Sequence, residues 1–143
     1  MSDRTFRLWR GTAAGGSFGE HRIDEDEGMV VLDALLRIQA RQANDLAIRW
    51  NCKAGKCGSC SMEINGRPRL ACMTRMNLFA DEETITVQPL KTFPVIRDLV
   101  TDVSWNFEQN KRIPPFRPGP KGPDGQHRMK QEDVDRVQEF RKC

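Results

Sequence analysis

Residues 50–60 read WNCKAGKCGSC, and three of the chain's five cysteines fall between Cys52 and Cys60. Gly55 and Gly58 loosen the stretch, and Lys53 and Lys56 place positive charge inside it. A fourth cysteine, Cys72, follows after eleven intervening residues, so the spacing is Cys52-x4-Cys57-x2-Cys60-x11-Cys72. Four chemistries crowd thiols in this way: a disulfide knot, a zinc site, a redox dithiol and an iron–sulfur cluster.

Compartment and spacing separate them. The start, MSDRTFRLWRGTAAGG, has no apolar signal core, which argues against export. A cytosolic chain keeps its thiols reduced, and five is an odd number, so structural disulfides fit poorly. A thioredoxin-like dithiol would use Cys57 and Cys60 but would leave Cys52 and Cys72 unexplained. Zinc ribbons usually pair two CxxC knuckles, whereas the fourth ligand here is single. The remaining candidate is a 2Fe–2S cluster, whose plant-type ligand run is C-x4-C-x2-C followed by a distant cysteine. Soft thiolates suit iron and sulfide, and glycines let a loop curl closely enough to aim N–H groups at sulfur. The two lysines read either as solvated charge or as stabilisers of the extra negative charge on reduction. Positive charge there would raise the potential above the roughly −400 mV of plant-type ferredoxins.

The surrounding chain reads as α+β. TFRLWRG (5–11) alternates apolar and polar residues, with Trp9 breaking the pattern, and predicts a first strand. SFGEHRIDED (17–26) reads as its hairpin partner after a glycine turn at Gly15–Gly16. In GMVVLDALLRIQARQ (28–42), Val31, Leu32, Leu35, Leu36 and Ile38 form a helical stripe, preceded by the acids of 24–27. CSMEINGRPRLAC (60–72) predicts a hairpin with Asn65-Gly66 at a type I′ turn, and ETITVQPL (83–90) a further strand. A small sheet crossed by one helix follows.

After Leu90 the texture changes. A short apolar run, Val95–Val100, leads to a helix expected around Val103–Lys111. IPPFRPGPKGPDGQ (113–126) holds five prolines and three glycines in fourteen residues and predicts an extended linker. KQEDVDRVQEFRKC (130–143) restarts a helix that ends on Cys143. Charge is uneven: residues 1–110 carry 14 basic and 15 acidic side chains, residues 111–143 carry 9 and 5. The net charge of +3 is too weak to point to nucleic acid. No apolar run approaches the about 18 residues of a membrane span.

RWNCKAGKCGSCSMEINGRPRLACMTRM (49–76), VLDALLRI (31–38) and VQPLKTFPVIRDLVTD (87–102) resemble the iron–sulfur subunit of succinate dehydrogenase/fumarate reductase. The resemblance runs from about Thr5 to Cys143, and GSC, NG-PRLAC and PVIRDLV make it more specific than the cysteines alone. It implies a β-grasp ferredoxin domain over residues 1–95. Residues 96–143 would then be a connecting segment, a proline-rich linker and the truncated start of a helical cluster domain. It implies Cys52 and Cys57 on one iron and Cys60 and Cys72 on the other. It further implies electron transfer from an FAD flavoprotein subunit towards quinone at membrane anchor subunits. The chain itself would be an electron carrier without a substrate site, peripheral on the cytoplasmic face of the membrane. Cys143 resembles the first ligand of a 4Fe–4S cluster, which only a longer chain could complete alongside a 3Fe–4S cluster; the expectation is therefore a fragment binding 2Fe–2S alone. KAGK between Cys52 and Cys57 departs from the arginine–glutamate pair of many family members.

Several residues carry two readings. Trp50 reads as a shield for a cluster or as core packing, and Trp105 and Phe107 as contacts for a partner or a further domain. Arg49, Arg69 and Arg75 read as cluster neighbours, a flavoprotein surface or a solvated face. His21 and His127 read as ordinary surface residues, since four cysteines already suffice. A free-standing ferredoxin is the alternative function, although such proteins are usually compact and acidic while this tail is basic. A zinc-stabilised interaction module is the third.

Overall fold

The computed structural model describes residues 3–115 and 117–138. The chain forms two compact units, Met1–Asn106 and Phe107–Cys143.

The first unit is built on a hairpin of β1 (Asp3–Thr12) and β2 (Gly15–Asp24), paired from Asp3↔Asp24 to Thr12↔Gly15. Its turn is Ala13–Ala14, just ahead of the glycine pair expected to make it. The glycines serve a different end. A Cβ on Gly16 would lie 2.6 Å from the Trp9 indole, and one on Gly11, its cross-strand partner, 3.0 Å from it. Trp9, which seemed to interrupt the strand, lies over backbone that only glycine leaves bare.

Arg4, Phe6 and Leu8 of β1 point inwards at the strand period of two. The helix α1 (Val31–Arg41) covers that face with Val31, Leu32, Ala34, Leu35 and Ile38, all buried. Asp33 accepts the N–H of Val30 (3.2 Å) at the start of α1, and Arg41 lies in its last turn, so both charges complement the helix dipole. The stripe read from the sequence is the core face.

β3 (Ser61–Ile64) and β4 (Arg67–Leu70) form the predicted hairpin. Asn65 and Gly66 have φ of +47° and +74°, as a type I′ turn requires. Asn65 also accepts the N–H of Thr86 (2.7 Å) and donates to Glu83 (2.6 Å), which ties the turn to the next strand. That strand, β5 (Ile85–Gln88), runs antiparallel to β3 and parallel to β1. β6 (Val95–Arg97) and β7 (Val100–Thr101) continue the sheet beyond residue 95, β6 joining β1 at Thr12↔Arg97. The order is β4-β3-β5-β1-β6-β7, with β2 also on β1. A mixed sheet with a central parallel pair and one helix laid across it is the α+β, β-grasp arrangement of ferredoxin-like domains.

Arg4 and Glu63 are two of the charges buried in this frame. Arg4 pairs with Glu25, with the carbonyls of Phe79 and Ala80, and with Asp81 (3.3 Å). Glu63 accepts from the Gln88 amide (2.8 Å) and the Lys91 N–H (3.1 Å), with the Lys91 ammonium 3.5 Å away. Burial pushes the Glu63 carboxyl up, but the Gln88 and Lys91 contacts outweigh it and hold the group below its usual range. The folded state therefore binds this proton less readily than the unfolded chain. Its contribution to stability is complete above the unfolded value of about 4.3 and is lost as pH falls through the lower folded value. Acid titrations followed by circular dichroism should show Glu63→Gln with a flatter loss of stability below about pH 4 than the parent; an unchanged slope would remove Glu63 from the account.

In the second unit, 113–130 is free of regular structure apart from turns among the described residues, and α3 spans Gln131–Val137. α2 (Ser104–Arg112) crosses the division between the units, with Trp105 and Phe107 exposed. Cys143 lies outside the described residues.

Candidate metal centre

The chain reaches the cysteines through a segment pinned at both sides. From the last turns of α1, Gln39 donates to the Leu46 carbonyl (2.7 Å), and further on the Arg49 guanidinium donates to the Thr101 carbonyl (2.9 Å). Asp98, in the turn between β6 and β7 with φ +48°, is the main fastening. Its buried carboxylate accepts the N–H of Gly11 (3.0 Å) and of Ala47 (2.9 Å), with Arg10 Nε 3.1 Å away. Its own N–H donates to the Gly11 carbonyl (2.8 Å), and Leu99 donates to Ala47 (3.3 Å). Asp98 thus binds the end of β1 to the segment that delivers Cys52. In PVIRDLV this acid has no role legible from its neighbours; the signal is a carboxylate, beside Arg97, set within an otherwise apolar run.

The loop itself is left-handed at Lys53 (φ +52°), Gly55 (+68°) and Gly58 (+72°). These turns aim backbone N–H groups inwards. Ala54 (3.3 Å), Lys56 (3.4 Å) and Cys57 (3.4 Å) donate to Cys52 Sγ, and Ser59 (3.4 Å) donates to Cys57 Sγ. At Gly55 there is a second constraint: a Cβ would come within 2.9 Å of Met73.

Cys60 and Cys72 sit where the β3–β4 ladder ends. Ala71 donates to the Cys60 carbonyl (3.1 Å), and the Cys72 N–H points at Cys60 Sγ (3.4 Å). The start of α1 holds this end. Its first N–H groups, on Val31 and Leu32, bond the carbonyls of Thr74 (2.9 Å) and Ala71 (3.0 Å), on either side of Cys72. Donors that a helix leaves unpaired are spent on the segment that carries a thiol.

All four thiols are free, and backbone N–H contacts on sulfur link them as two pairs. The Cys57 N–H donates to Cys52 Sγ (3.4 Å), and the Cys72 N–H donates to Cys60 Sγ (3.4 Å). Among the described residues no three Cys, His, Asp or Glu side chains converge as they would on one metal ion. The outer pair is the more acidic: the N–H groups of Ala54, Cys57 and Lys56 lower Cys52 to about 6, and Ser59 lowers Cys57. Burial raises Cys60, only partly offset by the Cys72 N–H. These contacts favour the Cys52 thiolate, the form that binds metal.

The residues fit a binuclear cluster. Four soft donors in two pairs match two irons, N–H groups already face sulfur, and the inner pair is shielded from water while Cys57 is exposed. Trp50, Met73 and Leu78 are exposed apolar side chains on or beside the loop and the segment after Cys72. Arg69 is half-buried; Arg75 is exposed, its backbone bridging Val30. His21 Nδ1 lies 3.1 Å from Gln42 and His127 Nδ1 2.7 Å from the Gly119 carbonyl, so both histidines are engaged elsewhere.

A family model described as a 2Fe-2S iron-sulfur cluster binding domain matches residues 5–108. The chain is similar to a fumarate reductase iron-sulfur subunit of Mycobacterium tuberculosis (strain CDC 1551 / Oshkosh), 33% identical over 89% of this chain and 52% of that one. It is similar to a mitochondrial succinate dehydrogenase iron-sulfur subunit of Candida glabrata, 39% identical over 68% of this chain and 38% of that one. Among solved structures it matches a chain of the Mycobacterium smegmatis Sdh1 complex in the apo form. The TM-score is 0.88 at 58% identity, covering 99% of this chain and 59% of the other. The chain spans about half or less of the length of these curated relatives. By the match over residues 5–108, the chain belongs to the family of 2Fe-2S iron-sulfur cluster binding domains.

Proposed function

We propose that Cys52, Cys57, Cys60 and Cys72 ligate the 2Fe–2S cluster, the first two on one iron and the last two on the other. We propose further that the chain acts as the electron-relaying iron–sulfur subunit of a succinate dehydrogenase/fumarate reductase complex. The observation that carries the ligation is the grouping of four thiols into two pairs with five backbone N–H contacts on their sulfurs.

When bound, the cluster supplies a one-electron couple. The chain's own residues tune and shelter it. The N–H groups of Ala54, Lys56 and Cys57 stabilise negative charge on the Cys52 sulfur, which favours the reduced state. The buried pair, Cys60 and Cys72, keeps water from the inner side, and exposed Cys57 leaves a short path for an electron at the rim. No side chain here is read as catalytic. The FAD and the dicarboxylate site belong to the flavoprotein partner. Trp50, Met73 and Leu78 are the apolar side chains offered to that partner. With β6 and β7 in the sheet, the connection towards a helical domain is read as residues 107–143, the helical domain being where 4Fe–4S and 3Fe–4S clusters would be held. No described helix is long and apolar enough to cross a membrane, so attachment is read as peripheral, through anchor subunits on the cytoplasmic side.

The direct test is metal and sulfide analysis of anaerobically purified protein. About two irons and two acid-labile sulfides per chain are expected, with brown colour, and a flavoprotein should co-purify. Colourless protein holding zinc would overturn the ligation. A cluster-loaded chain that binds no flavoprotein would overturn the assignment to the complex.

A further inference from the structure

Lys53 is held in an unusual way. Its backbone is left-handed at φ +52°, a region that favours glycine, asparagine or aspartate. Its ammonium lies 4.9 Å from the centroid of the Trp50 ring, within cation–π range. Trp50 is 43% exposed and lies outside the buried core cluster, so it does not serve as core packing. The two side chains flank Asn51 and Cys52, the entry to the loop.

We propose that Trp50 and Lys53 form one device that sets the cluster's reduction potential, the indole face fixing a positive charge one residue from Cys52. This rests on the ligation proposed above. A free surface lysine samples many positions, and salt screens its averaged charge over about 8–10 Å. An ammonium resting on an aromatic face keeps its place, so it acts on the neighbouring site as a fixed rather than an averaged charge. Reduction adds one negative charge to the cluster, and a fixed cation nearby favours that state. Lys53 supplies the charge; Trp50 is a positioning residue.

The sign of the Trp50 effect separates this from simple shielding. Were Trp50 only a screen against water, its removal would hydrate the cluster, favour the more charged reduced form and raise the potential. If it anchors Lys53, its removal lowers the potential. Redox titrations followed by electron paramagnetic resonance on the full chain, purified anaerobically, read this directly. Lys53→Met is expected to make reduction about threefold less favourable; at 59 mV per tenfold that is a fall of about 28 mV. Trp50→Leu should fall in the same direction by less, and the double variant should fall no further than Lys53→Met. Lys53→Gly, which suits the left-handed backbone, should match Lys53→Met in potential without losing thermal stability, which separates charge from folding. A Lys53→Met midpoint equal to the parent's, or a rise on Trp50→Leu, overturns the proposal while leaving the ligation intact. Unmodified protein without iron and sulfide overturns the ligation itself.

Discussion

Replacing Cys60 by alanine is expected to abolish cluster binding, taking iron and sulfide from about two each per chain to none. The sulfur lost is one of the buried pair, at the junction of β3, β4 and the start of α1. Water cannot readily replace it there, because the site is closed by Cys72, Ala71 and the helix. The effect should reach beyond colour. Metal binding contributes to folding wherever the site exists only in the folded chain. Without it, the loop's three left-handed residues retain only weak N–H···S contacts to hold them. Loop amides from Ala54 to Ser59 should then exchange hydrogen much faster, while amides of β1 and α1 stay protected. Arg67→Ala, an exposed change at the far end of the same hairpin, should keep full iron and sulfide. Visible absorption with metal analysis checks both variants; a brown Cys60→Ala protein with full iron would remove Cys60 from the ligand set.

Asp98→Ala is expected to cost about 3–5 kcal/mol, since two backbone N–H groups lose a charged acceptor at about 1–3 kcal/mol each or more. At this chain length that is a fall in apparent Tm of about 10 °C or more. Its carboxylate serves two N–H groups from distant segments and faces Arg10, so its removal leaves two backbone donors without their acceptor and takes one of two carboxylates from Arg10. Asn should recover part of the loss, since its carbonyl can still accept one of those N–H groups, though without charge for Arg10. The damage should also spread along the chain. Once Ala47 is released, Cys52 is presented less firmly, and the cluster of Asp98→Ala should be lost to a chelator faster than that of the parent. Scanning calorimetry and chelator kinetics give the two readings. A Tm within 2 °C of the parent would show that Asp98 is not the fastening described, since even 1 kcal/mol should move it that far.

Much of the molecule was readable because it depends on neighbours in sequence. The Asn65-Gly66 turn follows from positive φ at two adjacent residues, and the core face of α1 from a 3.6-residue period. The linker follows from prolines that cannot sustain a ladder or a helix. The reading faltered where a residue answers to a distant partner. Trp9 looked like a break in a strand because the bare backbone it covers, Gly11 and Gly16, lies on two strands. The 95–100 run looked like a change of texture because β6 closes against β1 some 85 residues earlier, at Thr12↔Arg97, and β7 pairs with β6.

The candidate site divides in the same way. The ligand types, their spacing and the need for glycine are properties of a local string, so the letters alone pointed to two irons bridged by sulfide. Which thiols lie together, which are buried and which carry N–H groups depend on contacts between remote segments. Cys52 is acidic because the loop folds back on it; Cys60 is not, because a helix and a hairpin close over it. The role of Asp98 likewise exists only once Gly11, Ala47 and the β6–β7 turn meet. Chemical identity is a matter of composition and spacing, whereas electrostatic environment is a matter of three-dimensional proximity, which no short window of sequence contains.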